Sequence, residues 1–315
     1  MRRISLPELL LAATTLSAFA SASPRPRASD DEDDDTPLPL VIWHGLGDSF
    51  AGDGMKSVAE LAETVNPGTF VYQVQLGADP NADRTASFYG NVTTQLDEIC
   101  DAIAAHPILS TAPAIDALGF SQGGVFLRGY VERCNNPPIR SLVTYGSPHL
   151  GISKFRVCGD SDLLCKGAMA LLKFNTWSDF VQGKVVPAQY YRDPLDYDRY
   201  LDSSNFLADI NNERLLKNTT YKKNLATLSN FVMVMFQEDA TLIPKESSWF
   251  QDEDWLGLRE LDAKGALQFR RVPGEHMQIS EESLKKSMSS YYGPIGKKFD
   301  HGRGEEETEQ ISQEL

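Results

Sequence analysis

The sequence predicts an α/β fold, with a mostly parallel central sheet, helices on both faces and an inserted helical cap. Short apolar runs, such as residues 40–43 and 231–236, alternate with amphipathic segments of helical period, such as residues 96–103. This alternation favours parallel strands covered by helices on both faces. It stops at about residues 150–230, where apolar and aromatic residues show no strand pattern. We interpret that interval as a helical cap between two strands of the sheet.

The two ends of the chain predict a leader and charged extensions around one folded domain. Arg2 and Arg3 precede an apolar stretch with small-x-small sites, which is typical of a secretory signal peptide. That stretch is shorter than the ~20 residues of a spanning helix, and no later segment is long enough. We therefore expect no membrane-spanning segment in the mature protein. The expected order is a signal peptide at residues 1–22, an acidic spacer at 23–36, the α/β domain at 37–294 and a charged tail at 295–315.

The charge of the chain argues against some classes of partner. The formal net charge is −14, and an acidic run at residues 30–35 contributes to it. Such runs are typical of solvated tails. The chain has no basic stripe of the kind that binds nucleic acid and no polybasic membrane patch. We expect no nucleic-acid partner, no cofactor and a monomeric protein.

Four cysteines fit an oxidising compartment and predict two disulfides. Three pairings are possible. Cys158 and Cys165 are close enough in sequence to close one loop, which leaves Cys100 with Cys134. No Cys-x-x-Cys pair or neighbouring histidine indicates a metal site, so none is expected.

Two glycosylation sequons fit the same compartment. They begin at Asn91 and Asn218, and each is a candidate for a glycan if it is exposed in a secreted protein. Both the sequons and the leader therefore place the protein in the secretory route.

Residues 119–123 form a G-x-S-x-G pentapeptide with Ser121 at its centre. The pentapeptide follows a candidate strand and opens a candidate helix. In that context the central residue lies at a strained turn, and the flanking glycines avoid clashes of a Cβ. The serine is then presented at the carboxyl edge of the sheet, where ligands bind in such folds. We predict that Ser121 is a nucleophile in an α/β-hydrolase fold. The alternative is a structural serine in a tight turn.

A neutral serine needs a general base, and in this fold the chain order is serine, acid, histidine. His276, in a turn after a candidate strand, is the predicted base. A surface-loop histidine is the alternative. The other histidines fit less well, because His44 and His106 precede Ser121, His149 follows it too closely and His301 lies in the tail.

The acid should follow a strand between the serine and the histidine. Asp239 comes directly after the most apolar run in that interval, where a carboxylate would orient the histidine ring. Glu238 is the second candidate, and Asp252 and Asp254 are weaker ones.

Two backbone N–H groups should bind the oxyanion of the reaction. One is that of Gln122, directly after the serine, and the other is that of Leu46, in the loop after the first strand. His44 precedes that loop, and we expect its ring to shape the loop rather than to act in catalysis. Residues 146–149 follow the carboxyl end of another strand, and we interpret them as a turn, with a place in the lining of the site as the alternative.

Five segments of the chain resemble segments of one family. They are VIWHGLGD at 41–48, GFSQGG at 119–124, FLADIN at 206–211, YKKNL at 221–225 and GEH at 274–276. Together they resemble the palmitoyl-protein thioesterases, and the resemblance extends from about Pro39 to about Leu284. The pentapeptide is generic, whereas the two segments in the cap are much more specific.

The resemblance implies hydrolysis of long-chain acyl thioesters of cysteine, so the expected partners are S-acylated proteins or peptides and fatty acyl thioesters. It implies the nucleophile, acid and base at Ser121, Asp239 and His276. It also implies the pairs Cys100–Cys134 and Cys158–Cys165, a glycan at Asn218 and a lysosomal or vacuolar location, although secretion stays an alternative. Leu46 stands where the family has methionine, and the acidic spacer and charged tail differ from the animal enzymes.

A long acyl chain needs an apolar groove, and four aromatic residues in the cap are candidates for its wall. Two other functions remain open. A lipase or esterase acting on oxygen esters would share the same three catalytic residues, and an inactive hydrolase-fold binding module would share the fold. The four groove candidates are Phe174, Trp177, Phe180 and Phe206.

Overall fold

The computed structural model describes residues 35–154, 157–250 and 255–300. The predicted signal peptide, nearly all of the acidic spacer and most of the charged tail lie outside these residues. So do the two weaker acid candidates, Asp252 and Asp254. Among the described residues, no helix is long and apolar enough to cross a membrane.

Six parallel strands form one sheet in the order β2-β1-β3-β4-β5-β6. The three central strands β3, β4 and β5 are buried along their whole length because both of their faces are covered. The predicted fold class, an α/β-hydrolase fold with helices around a parallel sheet, is confirmed. The strands are β1 (Leu40–Trp43), β2 (Val71–Gln73), β3 (Ile115–Phe120), β4 (Ile139–Tyr145), β5 (Asn230–Phe236) and β6 (Leu267–Val272).

Helices cover the sheet and fill the interval between β4 and β5. The helices expected at residues 96–103 and directly after the pentapeptide are both present. The helices are α1 (Asp53–Val65), α2 (Pro80–Ala86), α3 (Val92–Ala105), α4 (Gln122–Arg133), α5 (Leu163–Asn175), α6 (Asp179–Lys184), α7 (Tyr197–Ser203), α8 (Leu207–Ile210), α9 (Thr219–Leu225), α10 (Leu258–Ala263) and α11 (Glu281–Tyr291).

The alternation of side chains along each strand divides the core into two layers. Leu40 and Ile42 of β1 pack on one face with α1 and α11. Val41 and Trp43 point to the opposite face, where α3, α4 and residues from the 150–230 interval pack. This follows from the period of two along a strand. The carboxyl edge of the sheet is therefore flanked by different helices on its two faces.

The interval between β4 and β5 contains α5 to α9, and we call residues 150–230 the cap. Its first helix is joined to the preceding loop by the disulfide Cys158–Cys165. The second disulfide, Cys100–Cys134, joins α3 to the residue that ends α4. The first bridge therefore constrains the start of the cap, and the second fixes α3 against the end of α4.

Candidate active site

Ser121 lies at the sharp turn between β3 and α4, with φ of 49° and ψ of −124°. A side chain with a Cβ rarely adopts a positive φ, so the surrounding structure must hold this turn in place. The Ser121 N–H donates to the carbonyl of Tyr145 at 2.8 Å. A Cβ at Gly119 would lie 2.3 Å from the Cα of Gly124, and one at Gly123 would lie 2.4 Å from the carbonyl oxygen of Trp43. Glycine is therefore required on both sides of the turn.

The structure brings Ser121, His276 and Asp239 into one chain of hydrogen bonds. The Ser121 hydroxyl and His276 Nε2 are 3.0 Å apart, and His276 Nδ1 lies 2.6 Å from Asp239 Oδ2. The other carboxylate oxygen of Asp239 accepts from the N–H groups of Thr241 and Leu242, at 2.9 and 2.8 Å. Because both oxygens are engaged and the side chain is buried, the carboxylate has a fixed orientation toward the histidine ring.

Glu238, the second acid candidate, has another place in the site. Its side chain is exposed, and its carboxylate accepts from the N–H of Gly274. Its own N–H donates to the Gly274 carbonyl at 3.1 Å. These two bonds tie the end of β5 to the loop that holds His276. Glu238 therefore supports the position of the histidine loop, whereas Asp239 is the carboxylate that faces the ring.

The two expected oxyanion donors lie close to the serine, one directly after it in the chain and one in the loop that packs on it. Gln122 is the first residue of α4, where a backbone N–H has no partner within the helix. Gly45, next to Leu46, packs so closely on the serine that a Cβ there would lie 3.2 Å from that of Ser121. Among the hydrogen bonds of turns, loops and helix caps in the described residues, none has the N–H of Leu46 or of Gln122 as its donor. Both amides thus stay available for a ligand.

His44 and Asp83 form a buried pair beneath the Leu46 loop. His44 Nδ1 lies 2.9 Å from the carbonyl of Gly45, and Nε2 lies 3.0 Å from Asp83 Oδ2. Burial disfavours the Asp83 carboxylate, but the hydrogen bonds from His44 and from the backbone of Leu76 and Phe50 outweigh this and lower its pKa. The expected loop-shaping position of His44 agrees with this geometry. Asp83 could not be identified from the sequence, because nothing in its local pattern indicates that its partner, His44, lies 39 residues away.

His149 is buried next to the active site, yet it belongs to the core. Its N–H donates to Ser147, as in the turn predicted for residues 146–149, and its ring stacks on Phe250 with 5.4 Å between centroids. Burial holds the pKa of His149 well below its usual value, so the ring is neutral. Pro148, its neighbour, lines the cavity described next.

A cavity of about 940 Å³ opens at Ser121 and His276. None of the four aromatic residues predicted for its wall lines it. Phe206 is fully buried against Phe126, 5.7 Å between centroids, whereas Phe174 is 89% and Phe180 64% exposed. Trp177 packs on Tyr191 instead. That prediction is wrong, because aromatic composition alone does not show which face of a cap helix points inward. The apolar wall is formed by Met55, Val58, Leu61, Ile152, Met169, Pro187, Tyr190, Leu242, Met277, Ile279 and Leu284.

The two sequons differ in exposure. Asn218 is exposed and begins α9, where its side chain accepts from the N–H of Thr220. Asn91 is half-buried and begins α3, where its side chain accepts from the N–H of Thr94. Asn218 is therefore the more accessible of the two for a glycan, and both sites stay predictions.

The fold and the position of this site at the carboxyl edge of the sheet define a hydrolase of the α/β-hydrolase class. A family model described as "Palmitoyl protein thioesterase" matches residues 39–276. The chain belongs to this family and is a thioester hydrolase. The resemblance seen in the five sequence segments is confirmed.

Individual relatives agree with this family. Palmitoyl-protein thioesterase 1 of Caenorhabditis elegans is 37% identical over 273 residues, which cover 80% of this chain and 91% of that protein. Palmitoyl-protein thioesterase 3 of Dictyostelium discoideum is 32% identical, covering 75% and 84%. Human lysosomal thioesterase PPT2 is 25% identical, covering 72% and 78%. Among solved structures, Est1E from Butyrivibrio proteoclasticus with ferulic acid matches with a TM-score of 0.47 and 12% identity, covering 82% and 89%.

Proposed function

We propose that the protein removes long-chain fatty acyl groups from cysteine residues of proteins or peptides, with Ser121 as nucleophile. The observation that carries this proposal is the chain of hydrogen bonds from Asp239 through His276 to Ser121, at the opening of a largely apolar cavity. The cavity has a volume of about 940 Å³. Typical ligand sites have volumes of about 300–1,000 Å³, so this cavity is near the upper end of that range. A long acyl chain suits such a wall, because each buried CH₂ contributes about 0.8 kcal/mol.

The first half of the reaction acylates the serine. His276 Nε2 takes the hydroxyl proton while Ser121 Oγ attacks the thioester carbonyl. The carbonyl electron pair moves to the oxygen, and the N–H groups of Leu46 and Gln122 bind the resulting oxyanion. The tetrahedral intermediate collapses, the C–S bond breaks, and the imidazolium gives its proton to the thiolate. The products are the free thiol and an acyl ester on Ser121.

The second half returns the enzyme to its starting state. Water replaces the thiol, His276 takes one of its protons, and the hydroxide attacks the acyl ester. As the second intermediate collapses, the bond between the acyl carbon and Ser121 Oγ breaks, the imidazolium returns its proton to Oγ, and the fatty acid is released. Throughout, Asp239 keeps the Nδ1 proton in place and stabilises the imidazolium. No cofactor or metal takes part in this scheme.

The same family supports proposals for where the protein works and how it is organised. We infer a signal peptide at residues 1–22, one α/β domain at 37–294 with the cap at 150–230, and a monomer bearing a glycan at Asn218. Relatives with "lysosomal" in their names support delivery to a lysosome or vacuole. A tagged protein found in the cytosol would refute this route.

The test compares a palmitoyl peptide thioester with its oxygen-ester analogue, with Ser121→Ala as the control. We expect faster hydrolysis of the thioester, and loss of nearly all of it in Ser121→Ala at unchanged thermal stability. Hydrolysis of the oxygen ester alone would make the protein a lipase or esterase. Failure of the wild type to react with a fluorophosphonate probe would instead indicate an inactive binding module.

A further inference from the structure

The cavity has two walls on opposite sides of Ser121. We name the first the α1–α11 arm, formed by Met55, Val58 and Leu61 of α1 together with Ile279 and Leu284. Met55, Val58 and Leu284 belong to the core layer on one face of the sheet.

We name the second wall the cap arm. It is formed by Ile152, Met169, Pro187 and Tyr190. Ile152 and Tyr190 belong to the core layer on the opposite face, and Met169 belongs to a small cluster in which cap residues pack on Phe88. A thioester bound at Ser121 has two halves, the acyl chain and the leaving thiol. The cavity therefore offers one arm for each half.

The position of the histidine decides which half enters which arm. The leaving sulfur must lie within reach of His276 Nε2, because that atom returns the proton to the thiolate. The chain continues from His276 directly into Met277 and Ile279, and both of these line the cavity beside α1. The acyl chain must leave the carbonyl carbon in another direction, which is toward the cap. The geometry points to the α1–α11 arm as the binding site for the cysteine-containing peptide of the substrate, an inference that rests on the proposed function.

The chemistry of this arm fits a peptide. Its floor is apolar and can hold a side chain next to the acylated cysteine, whereas its rim is exposed and can leave the peptide backbone in water. Ser57 and Thr64 of α1 lie on the rim, and Glu281 and Lys285 of α11 form an ion pair at 2.6 Å there. The arm therefore offers both an apolar contact and polar groups.

The charge at the cavity opening adds a preference among thiols. Asp48, Glu60 and Glu281 line it with one lysine, Lys285, so acids are in excess. A thiol that carries several phosphates, such as coenzyme A, would be repelled, and this repulsion would weaken with salt. We thus assign the arm to neutral or basic peptides rather than to phosphorylated thiols.

The test places a tryptophan in each arm. The substrates are an S-palmitoyl-cysteine peptide and S-palmitoyl-N-acetylcysteamine, which share the acyl chain but differ in the leaving thiol. In Leu61→Trp the ratio of KM for the peptide to KM for the small thioester should rise about tenfold, because the peptide loses an apolar contact. In Met169→Trp that ratio should stay near the wild-type value, and the preferred acyl chain should become shorter for both substrates. Glu63→Trp, on an exposed part of α1 outside the cavity, is the matched control.

The outcomes separate this inference from the proposed function. A shorter acyl preference in Leu61→Trp would show that the α1–α11 arm holds the acyl chain and would overturn the inference while leaving the thioesterase intact. Equal changes in KM for the peptide and for the small thioester in Leu61→Trp would also overturn the inference. Absence of Ser121-dependent hydrolysis of either thioester would overturn the proposed function itself. Palmitoyl-coenzyme A gives a second readout, since Glu60→Lys should improve its kcat/KM relative to the peptide by about two- to threefold at low salt. No such improvement would contradict the charge preference.

Discussion

In the variant Asp239→Asn, we expect the His276 ring to adopt the wrong tautomer in an otherwise intact site. One carboxylate oxygen of Asp239 accepts from the N–H groups of Thr241 and Leu242, and the other faces His276 Nδ1. In asparagine only the carbonyl oxygen can accept, so it stays with the two amides. The NH₂ group must then face His276 and donate to Nδ1. The ring proton moves to Nε2, which can no longer accept the proton of Ser121.

The magnitude follows from what is lost. In serine hydrolases with a Ser-His-Asp triad, the wrong tautomer of the catalytic histidine lowers the rate about 10⁴-fold. At 1.36 kcal/mol for each tenfold, this corresponds to about 5.4 kcal/mol of transition-state stabilisation. The substitution preserves shape and keeps the two backbone hydrogen bonds, so the free energy of unfolding should change little.

The assay is kcat/KM on a palmitoyl peptide thioester, with the thermal unfolding temperature measured in parallel. Glu238→Gln is the matched control, because it removes a neighbouring charge but keeps an acceptor for the Gly274 N–H. We expect its kcat/KM to stay within about threefold of the wild type. If Asp239→Asn retained kcat/KM within about tenfold of the wild type, Asp239 would not set the tautomer and the argument would be refuted.

Two further predictions concern stability. Gly123→Ala should destabilise the protein by about 4 kcal/mol or more, because its Cβ would lie 2.4 Å from the Trp43 carbonyl oxygen. The control Gly183→Ala in α6 has open space for its Cβ and should be neutral or stabilising by up to about 1 kcal/mol. Equal denaturant midpoints for the two variants would contradict this prediction. The pKa of Asp83 in the folded protein is lowered below 3.8, its ordinary value in an unfolded chain. The ionised carboxylate therefore stabilises the fold at pH values above that ordinary pKa, and this stabilisation is lost as the pH falls through the pKa of the folded state. The difference in unfolding free energy between wild type and Asp83→Asn should therefore shrink as pH falls below 4, and a difference that stays unchanged between pH 5 and pH 3 would speak against it.

The strands and the position of the serine could be predicted because local signals determine them. The candidate strand before residue 119 and the paired glycines are visible in the sequence, and the structure places Ser121 directly after β3 as expected. His276 and Asp239 could be selected because chain order and the ends of strands limit the choice. Their distances to each other come only from the fold.

The wall of the cavity could not be predicted, because it depends on how helices pack. Phe174 and Phe206 look alike in sequence, but one is exposed and the other lies in the core. The residues that do line the cavity, such as Met169 and Leu61, come from helices far apart in the chain. Asp83 was missed for the same reason, since its contact with the loop after β1 is purely tertiary.

The most direct test of the central claim is to identify the residue that carries the acyl group during turnover. The wild-type enzyme is mixed with a palmitoyl peptide thioester, quenched in acid within milliseconds and mapped by peptide mass spectrometry. The mechanism predicts a palmitoyl ester on Ser121, absent in Ser121→Ala. A palmitoyl group on another residue, for example the neighbouring Ser147, or undiminished hydrolysis by Ser121→Ala would contradict it.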